Sequence, residues 1–209
     1  MSPSPAVLAA EHLSFGYPQR PLFTDWSVRL TPGVTLVCGG DGAGKSTLLR
    51  LLAGVLPPQR GDITLNGLRL ADHPEAGRQQ VFWVDPRADG CDELTPGDCL
   101  ARMAQRHPGF QHDVLDDLIE GLSLAPHMDK RLFMLSTGSR RKVWLAAAFA
   151  CGAAVTLLDD PFAALDRPSV AFVTARLQEA AGHPSRAWVV TGYEAPAGVP
   201  LAATVDLGD

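Results

Sequence analysis

The chain reads Val34-Thr35-Leu36-Val37-Cys38, then Gly39-Gly40-Asp41-Gly42-Ala43-Gly44-Lys45-Ser46-Thr47, then Leu48-Leu49-Arg50-Leu51-Leu52-Ala53. The first segment is apolar and short, which predicts a buried strand. The last segment has the leucine density of a helix packed on a sheet, and Gly54 is a plausible stop for it. A strand, a glycine-rich turn and a helix in this order are typical of a phosphate-binding loop.

The spacing Gly39-x-x-x-x-Gly44-Lys45-Ser46 matches the P-loop pattern at every fixed position. Glycines let the backbone bend around phosphate with N–H groups pointing inward, and the following helix N-terminus attracts anions. We expect Lys45 to reach the β- and γ-phosphates and the Ser46 hydroxyl to ligate Mg²⁺. The predicted nucleotide-binding residues of this loop are Gly39, Gly40, Asp41, Gly42, Ala43, Gly44, Lys45, Ser46 and Thr47.

The rest of the chain predicts an α/β fold with a mainly parallel sheet, because strands alternate with helices. The segments 7–15 and 22–30 predict an N-terminal antiparallel β subdomain. Further strands are expected at 62–65, 81–84, 155–159 and 187–191, and helices at 139–151 and 168–180. The segment 95–130 has a helical pattern with breaks. We therefore expect one domain, with a core at 6–90 and 140–209 and a helical subdomain inserted at 91–139.

Composition narrows the functional classes. The net charge of −5 gives no basic field for nucleic acid. The four cysteines form no C-x-x-C pair, and neither a disulfide framework nor a secretory signal is indicated, so we expect a cytoplasmic protein. The longest apolar run, 143–158, is interrupted by Gly152 and is shorter than the roughly 20 residues of a membrane span. If the protein works at a membrane, a partner supplies the spanning helices.

Three further segments resemble those of the ABC ATPases, the ATP-binding subunits of ABC transporters. Leu135-Ser136-Thr137-Gly138-Ser139 resembles the LSGGQ signature, Leu157-Leu158-Asp159-Asp160-Pro161 the Walker B strand with its catalytic extension, and Ala164-Leu165-Asp166 the D-loop. Taken alone, the first segment also fits an ordinary Ser/Thr helix cap. Taken with the P-loop, all four motifs follow the order and spacing of that family across nearly the whole chain.

The resemblance implies a composite site between two subunits. In this family the signature of one subunit closes over the nucleotide on the P-loop of the other, so a head-to-tail dimer of identical or different ATPase subunits is implied. Ser136 and Gly138 would contact the γ-phosphate held by the partner, and Tyr17 would stack on adenine. Asp159 would join Ser46 at Mg²⁺. The implied cofactors are ATP and Mg²⁺, and the implied setting is the inner face of the cell membrane, beside an integral membrane transporter subunit.

The departures from the family pattern fall on catalytic and coupling positions. Asp160 stands where active members carry glutamate, and its carboxylate sits one methylene, roughly 1.5 Å, further back. A misplacement of that size can cost on the order of 100-fold in rate. Gly192 stands where the switch histidine is expected. The glutamine expected after 81–84 is replaced by Asp85 or Pro86, and Asp85 is a candidate to replace it as a Mg²⁺ ligand through water. The signature ends in Ser139 where the family pattern has glutamine.

The leading interpretation is therefore an ATP-binding subunit of an ABC transporter, with Asp160 and Lys45 as catalytic residues and slow hydrolysis. An alternative is a nucleotide-gated regulatory ABC protein with weak or no hydrolysis. A third reading, a small-molecule kinase on a P-loop fold, leaves the signature unexplained. The segments 51–54 and 161–166 are also similar to the haem-exporter ATPases of cytochrome c maturation. Those strings are common across the family, so they select neither a substrate nor a direction of transport.

Overall fold

A computed structural model gives the fold of residues 6–84 and 91–208. Two sheets are built from nine strands in these ranges: β1 Leu8–Tyr17, β2 Arg20–Leu30, β3 Gly33–Cys38, β4 Arg60–Leu65, β5 Leu68–Arg69, β6 Val81–Phe82, β7 Val155–Leu158, β8 Ala187–Thr191 and β9 Leu201–Asp206. The helices are α1 Lys45–Leu52, α2 Pro74–Gln80, α3 Pro96–Arg106, α4 Leu115–Gly121, α5 Thr137–Ala150 and α6 Arg167–Ala181.

The first sheet is antiparallel and has the strand order β2-β1-β4-β5. The predicted N-terminal antiparallel subdomain is therefore present. Its strands β1 and β2 extend beyond the predicted bounds and are joined by a tight turn in which Gln19 has a φ of 66°. This turn lies next to the glycine-rich loop, because the Arg20 guanidinium donates to the Gly42 carbonyl at 3.0 Å.

The second sheet is parallel and has the strand order β6-β7-β8-β3-β9. Its central strands β7 and β8 are buried along their whole length. Strands covered on both faces are expected to be continuously apolar, which is why the sequence predicted them. In a parallel sheet the carboxyl ends of neighbouring strands meet at one edge, so the residues that follow β3, β7 and β8 lie together.

The helix α1 packs the leucines that follow the glycine-rich loop into a core shared by both sheets. Leu48, Leu49, Leu51 and Leu52 are fully buried in it, beside Val37 and Val189 of the parallel sheet. The helix ends at Leu52, and Gly54 turns the chain with a φ of 67°. The loop is thus held between a buried strand and a buried helix.

A second core joins the remaining helices to the other face of the parallel sheet. The helices α3, α4 and α6 all contact α5, which lies at the centre of this core. The helix α5 begins at Thr137, two residues before the predicted start, because the Ser136 hydroxyl accepts the Ser139 N–H at 3.1 Å and caps it. Within 6–84 and 91–208, no helix is both apolar enough and long enough to cross a bilayer.

Candidate nucleotide-binding site

The glycine-rich loop connects β3 to α1 at the carboxyl edge of the parallel sheet. Gly39 has a φ of 144°, and a Cβ there would lie 2.8 Å from the Gly208 carbonyl oxygen, so only glycine fits this close approach. Lys45 turns its amine back onto the loop, where Nζ donates to the carbonyls of Gly39 at 2.6 Å and Gly40 at 2.8 Å. The principal cation predicted to bind phosphate therefore lies within the loop itself.

Thr191, the last residue of β8, fixes the two aspartates that follow β7. Its buried hydroxyl donates to Asp159 Oδ1 at 2.8 Å and accepts the Asp160 N–H at 2.8 Å. The Arg141 guanidinium of α5 donates to the Asp160 carbonyl. Asp160 is exposed and has a φ of 46°, a conformation that aspartate adopts more readily than most residues. These contacts hold the backbone at Asp160 and leave its side chain exposed at the cleft.

The segment after β8 crosses the phosphate loop. The Gly192 N–H donates to the Val37 carbonyl at 3.2 Å, which keeps the chain beside β3. The Tyr193 hydroxyl then donates to Asp41 of the loop, and its ring centroid lies 4.9 Å from Lys45 Nζ. The bond to Asp41 raises the pKa of Tyr193 above its ordinary value, so the hydroxyl stays a donor at neutral pH.

These elements line an open cleft of about 500 Å³. It brings together the predicted residues Asp41, Lys45, Ser46, Asp159 and Asp160 and several residues that the sequence analysis did not identify. Its lining comprises Asp41, Lys45, Ser46, Arg50, Trp83, Thr137, Arg141, Asp159, Asp160, Thr191, Gly192 and Tyr193. The lining thus includes lysine, arginine and paired carboxylates, the kinds of group that bind a magnesium–triphosphate complex.

Tyr17 lies outside this cleft but contacts the same helix. Its hydroxyl is 3.5 Å from the Thr47 hydroxyl in the first turn of α1, and its ring packs edge-on against Phe15 at 5.3 Å. The ring is 44% exposed, so one face is available for stacking beside the P-loop. Arg20 and Gly42 meet at the same side of the loop. The adenine contact predicted for Tyr17 stays a prediction.

The signature segment lies at the surface of α5 and packs against the D-loop. Ser136 and Thr137 are exposed, and a Cβ on Gly138 would lie 2.4 Å from the Ala164 carbonyl oxygen. Neither Ser136 nor Gly138 lines the cleft; Thr137 does. Their predicted contact with a partner's nucleotide therefore needs a second subunit, and it stays a prediction.

Asp166 links the D-loop to α5 and α6. Its carboxylate accepts from the buried Lys142 at 2.6 Å and from the Ser169 N–H at 2.9 Å, which caps α6. The hydrogen bond from Lys142, followed by those from Ser169, holds the pKa of Asp166 well below its usual range. The pair is expected to move as one unit, because Lys142 belongs to the helix that carries the signature.

A divalent cation would find oxygen ligands at Ser46 and Asp159, which both line the cleft. Among residues 6–84 and 91–208, no cluster of three or more His, Cys, Asp or Glu side chains could hold a metal alone. Mg²⁺ commonly takes only one or two protein ligands and completes its shell with phosphate oxygens and water. The residues present fit that mode. Asp85, the candidate ligand of Mg²⁺ through water, and Pro86, the other residue at the position of the expected glutamine, lie outside the described residues.

Comparisons with known proteins show the family to which the chain belongs. The model of the family described as ABC transporter matches residues 23–163. The chain is 34% identical to the cytochrome c biogenesis ATP-binding export protein CcmA of Pseudomonas savastanoi pv. phaseolicola, over 88% of this chain and 85% of that protein. It is 30% identical to the ABC-type transporter ATP-binding protein EcsA of Bacillus subtilis, over 84% and 72% respectively.

Among solved structures, the ATP-binding subunit of an ABC transporter superposes with a TM-score of 0.80 at 26% identity, covering 90% of this chain and 79% of that one. The fold and the loop define a P-loop nucleotide-binding protein of the α/β class. The chain belongs to the ABC transporter family and is an ATP-binding subunit of it. The transporter interpretation is confirmed, and the regulatory alternative is not favoured.

Proposed function

We propose that this chain binds Mg-ATP in the cleft between the P-loop, Asp159–Asp160 and the segment after β8, and hydrolyses it slowly to drive a membrane partner. Family membership already implies an ATPase. The observation that carries the proposal is the shared lining: Lys45, Ser46, Asp159 and Asp160 face one cleft, although the chain separates the two pairs by more than 110 residues. Because these side chains are of the kinds that bind phosphate, hold a metal and activate water, their shared lining supports a single Mg-ATP site.

Slow turnover is supported by the two departures nearest the chemistry. Asp160 is fixed by its backbone through Thr191 and Arg141, so the short side chain cannot be advanced by a backbone shift without breaking those bonds. Gly192 offers no side chain to the terminal phosphate. Transition-state groups must be held within tenths of an ångström, so a shortened base and the absence of a side-chain donor at position 192 itself both reduce the rate.

A head-to-tail dimer is supported by what each chain leaves exposed. Asp41 and Ser46 of the loop are open to solvent, as are Ser136 and Thr137 of the signature. The amides at the start of α5 are suited to an anion, because a helix N-terminus carries partial positive charge. The signature of a second copy would close the nucleotide in, and whether that copy is identical stays open.

The proposed setting is the inner face of the cell membrane, beside an integral membrane subunit. Relatives named as ATP-binding export proteins support export as the direction. The predicted division into a core at 6–90 and 140–209 and a helical subdomain at 91–139 gives that partner a surface to contact. The helices α3 and α4 pack on α5, the helix that carries the signature, so a displacement of one is passed to the other.

Lys45→Ala tests the site itself. We expect ATP affinity to fall by about 100-fold or more, because the loop loses its cation. A loss of this order corresponds to one charge-assisted contact with phosphate. Equilibrium binding of a fluorescent ATP analogue with Mg²⁺ measures this, with circular dichroism to confirm folding. Arg60→Ala is a suitable control, because Arg60 is an exposed cation on β4 outside the cleft. An unchanged affinity in the Lys45 variant would place nucleotide elsewhere.

A further inference from the structure

Tyr193 touches the phosphate loop at two points and belongs to no motif used so far. Its hydroxyl donates to Asp41, and its ring lies over the Lys45 amine with a centroid distance of 4.9 Å. The side chain is 69% exposed, so it is held there by these polar contacts and not by burial. An exposed aromatic side chain that contacts two residues of the phosphate loop suggests a role in binding.

The backbone around Tyr193 explains why this side chain reaches the loop. Gly192 is tied to β3 by its N–H, and it contributes no side chain. A Cβ at Gly192 would meet only the Glu194 carbonyl oxygen, at 3.5 Å, so the space beside it is open. Gly192 leaves space in the cleft, and the phenol of the next residue, Tyr193, lines that cleft.

The charges around the hydroxyl indicate what it does when nucleotide arrives. Asp41 is an acidic residue in a loop built for a polyanion, and the Tyr193 phenol donates to its carboxylate. The Lys45 amine meanwhile donates to the loop carbonyls and faces the ring. A triphosphate competes for Lys45 and presents anionic oxygens beside Asp41, and these oxygens accept charge-assisted hydrogen bonds from a phenol as a carboxylate does.

We propose that Tyr193 is the γ-phosphate contact at the end of β8: its hydroxyl leaves Asp41 and donates to a terminal phosphate oxygen of bound ATP. This inference rests on the proposed nucleotide site and makes Tyr193 the residue that distinguishes ATP from ADP. ADP has no γ-phosphate, so with ADP the hydroxyl stays on Asp41.

The opposite role makes a different prediction. If Tyr193 only blocks the loop, removing its hydroxyl frees Asp41 and Lys45 for either nucleotide, and ATP and ADP gain affinity together. If it contacts the γ-phosphate, only ATP loses affinity. The ratio of the dissociation constants for ATP and ADP therefore distinguishes a contact with the γ-phosphate from simple obstruction of the loop, whatever the absolute affinities are.

The experiment measures fluorescent ATP and ADP analogues with Mg²⁺ against Tyr193→Phe, in an Asp160→Asn background so that the triphosphate survives. We expect the preference for ATP over ADP to fall about tenfold, the worth of one hydrogen bond to a charged group. Tyr17→Phe is the matched control: it deletes the same atom at the adenine end and leaves the ratio unchanged. Tyr193→His restores a donor and is expected to recover part of the preference.

The results separate this inference from the site on which it rests. A parent protein that binds neither nucleotide overturns both the proposed function and the role of Tyr193. A parent that prefers ATP, with the same ratio in Tyr193→Phe or with both nucleotides tightened, overturns the role of Tyr193 alone. Because Tyr193 is exposed, the phenylalanine variant is expected to melt at the parent's temperature.

Discussion

Thr191 and Asp160 determine what chemistry the site can perform. The Thr191 hydroxyl holds the Asp160 backbone in the left-handed region, where its φ is 46°. Glutamate at this position would cost about 1 kcal/mol in backbone conformational energy, because only glycine, asparagine and aspartate adopt the left-handed region readily. Aspartate thus suits the local backbone, while glutamate would suit the reach to an attacking water. The residue that stands here favours conformation over reach.

Asp160→Glu is expected to raise steady-state ATP hydrolysis, by about tenfold to 100-fold, because the carboxylate advances by one methylene toward the attacking water. Phosphate release under saturating Mg-ATP measures the rate. A small loss of thermal stability should accompany the gain, from the strained backbone. Asp160→Asn is the control and should abolish the residual rate. If the asparagine variant hydrolyses as fast as the parent, Asp160 is not the base.

Sequence motifs identified the phosphate loop and the paired aspartates, because their residues are consecutive and their spacing is fixed by backbone geometry. They did not identify Tyr193, Arg141 or Arg20. Each of these acts through a contact with a residue distant in the chain: Tyr193 with Asp41, Arg141 with the Asp160 carbonyl, Arg20 with the Gly42 carbonyl. The usable signal for Tyr193 was its place just after β8, at the edge where the loop ends.

Among the elements, the strands buried on both faces and the partly exposed pair β1 and β2 were predicted, whereas α2, β5 and β9 were not. The strands β7 and β8 are continuously apolar, whereas β9 is half exposed along its length because it is a sheet edge, and no periodic signal marked it. The short helix α2 was missed because its residues are mostly exposed and polar. The predicted strand at 81–84 forms only at Val81–Phe82.

A buried histidine links the end of α3 to α2. His107, which follows α3, is 2% exposed and its Nδ1 is 2.9 Å from the Gln79 carbonyl oxygen, while its ring packs on Phe82 at 5.5 Å. Burial lowers the pKa of His107, the bond to Gln79 partly opposes that shift, and the neighbouring Arg106 adds to it. The neutral imidazole is therefore the form that the fold requires.

A folded-state pKa below the unfolded value of about 6.5 means that the unfolded chain binds the proton first. We expect the free energy of unfolding to be full above pH 6.5 and to fall toward pH 5, by up to about 1.4 kcal/mol per pH unit. Urea unfolding across that range measures the slope. His107→Gln keeps a donor to Gln79 without titrating, so the slope should decrease.

Two other histidines set the controls for that measurement. His183 also has a pKa lowered by burial, so His183→Gln should remove only a smaller part of the slope. The exposed His12 has its pKa raised by Asp25, so it stabilises the fold below pH 6.5 and opposes the trend. If the pH dependence of the free energy of unfolding persists in His107→Gln but disappears in His183→Gln, then His183, and not His107, causes it.

At the scale of the whole molecule, one chain presents both halves of the proposed site but does not join them. The P-loop residues Asp41 and Ser46 and the signature residue Ser136 are exposed on the same chain, and Ser136 does not line that chain's cleft. In a two-fold symmetric dimer each such surface meets its complement on the other copy, which closes two equivalent sites. A defect in one half is then separable from a defect in the other.

Two inactive variants should restore activity when mixed. Lys45→Ala removes the loop cation, and Ser136→Asp places a charge against the partner's γ-phosphate while still capping α5, because aspartate caps as well as serine. In a dimer containing one of each, one site carries both defects and the other carries neither. Random pairing leaves roughly a quarter of all sites intact, so the mixture should hydrolyse ATP faster than either variant alone. Ser136→Asn is the neutral control and should keep most activity. If the mixture shows no recovery while Ser136→Asp still binds ATP, two identical chains do not form the head-to-tail site.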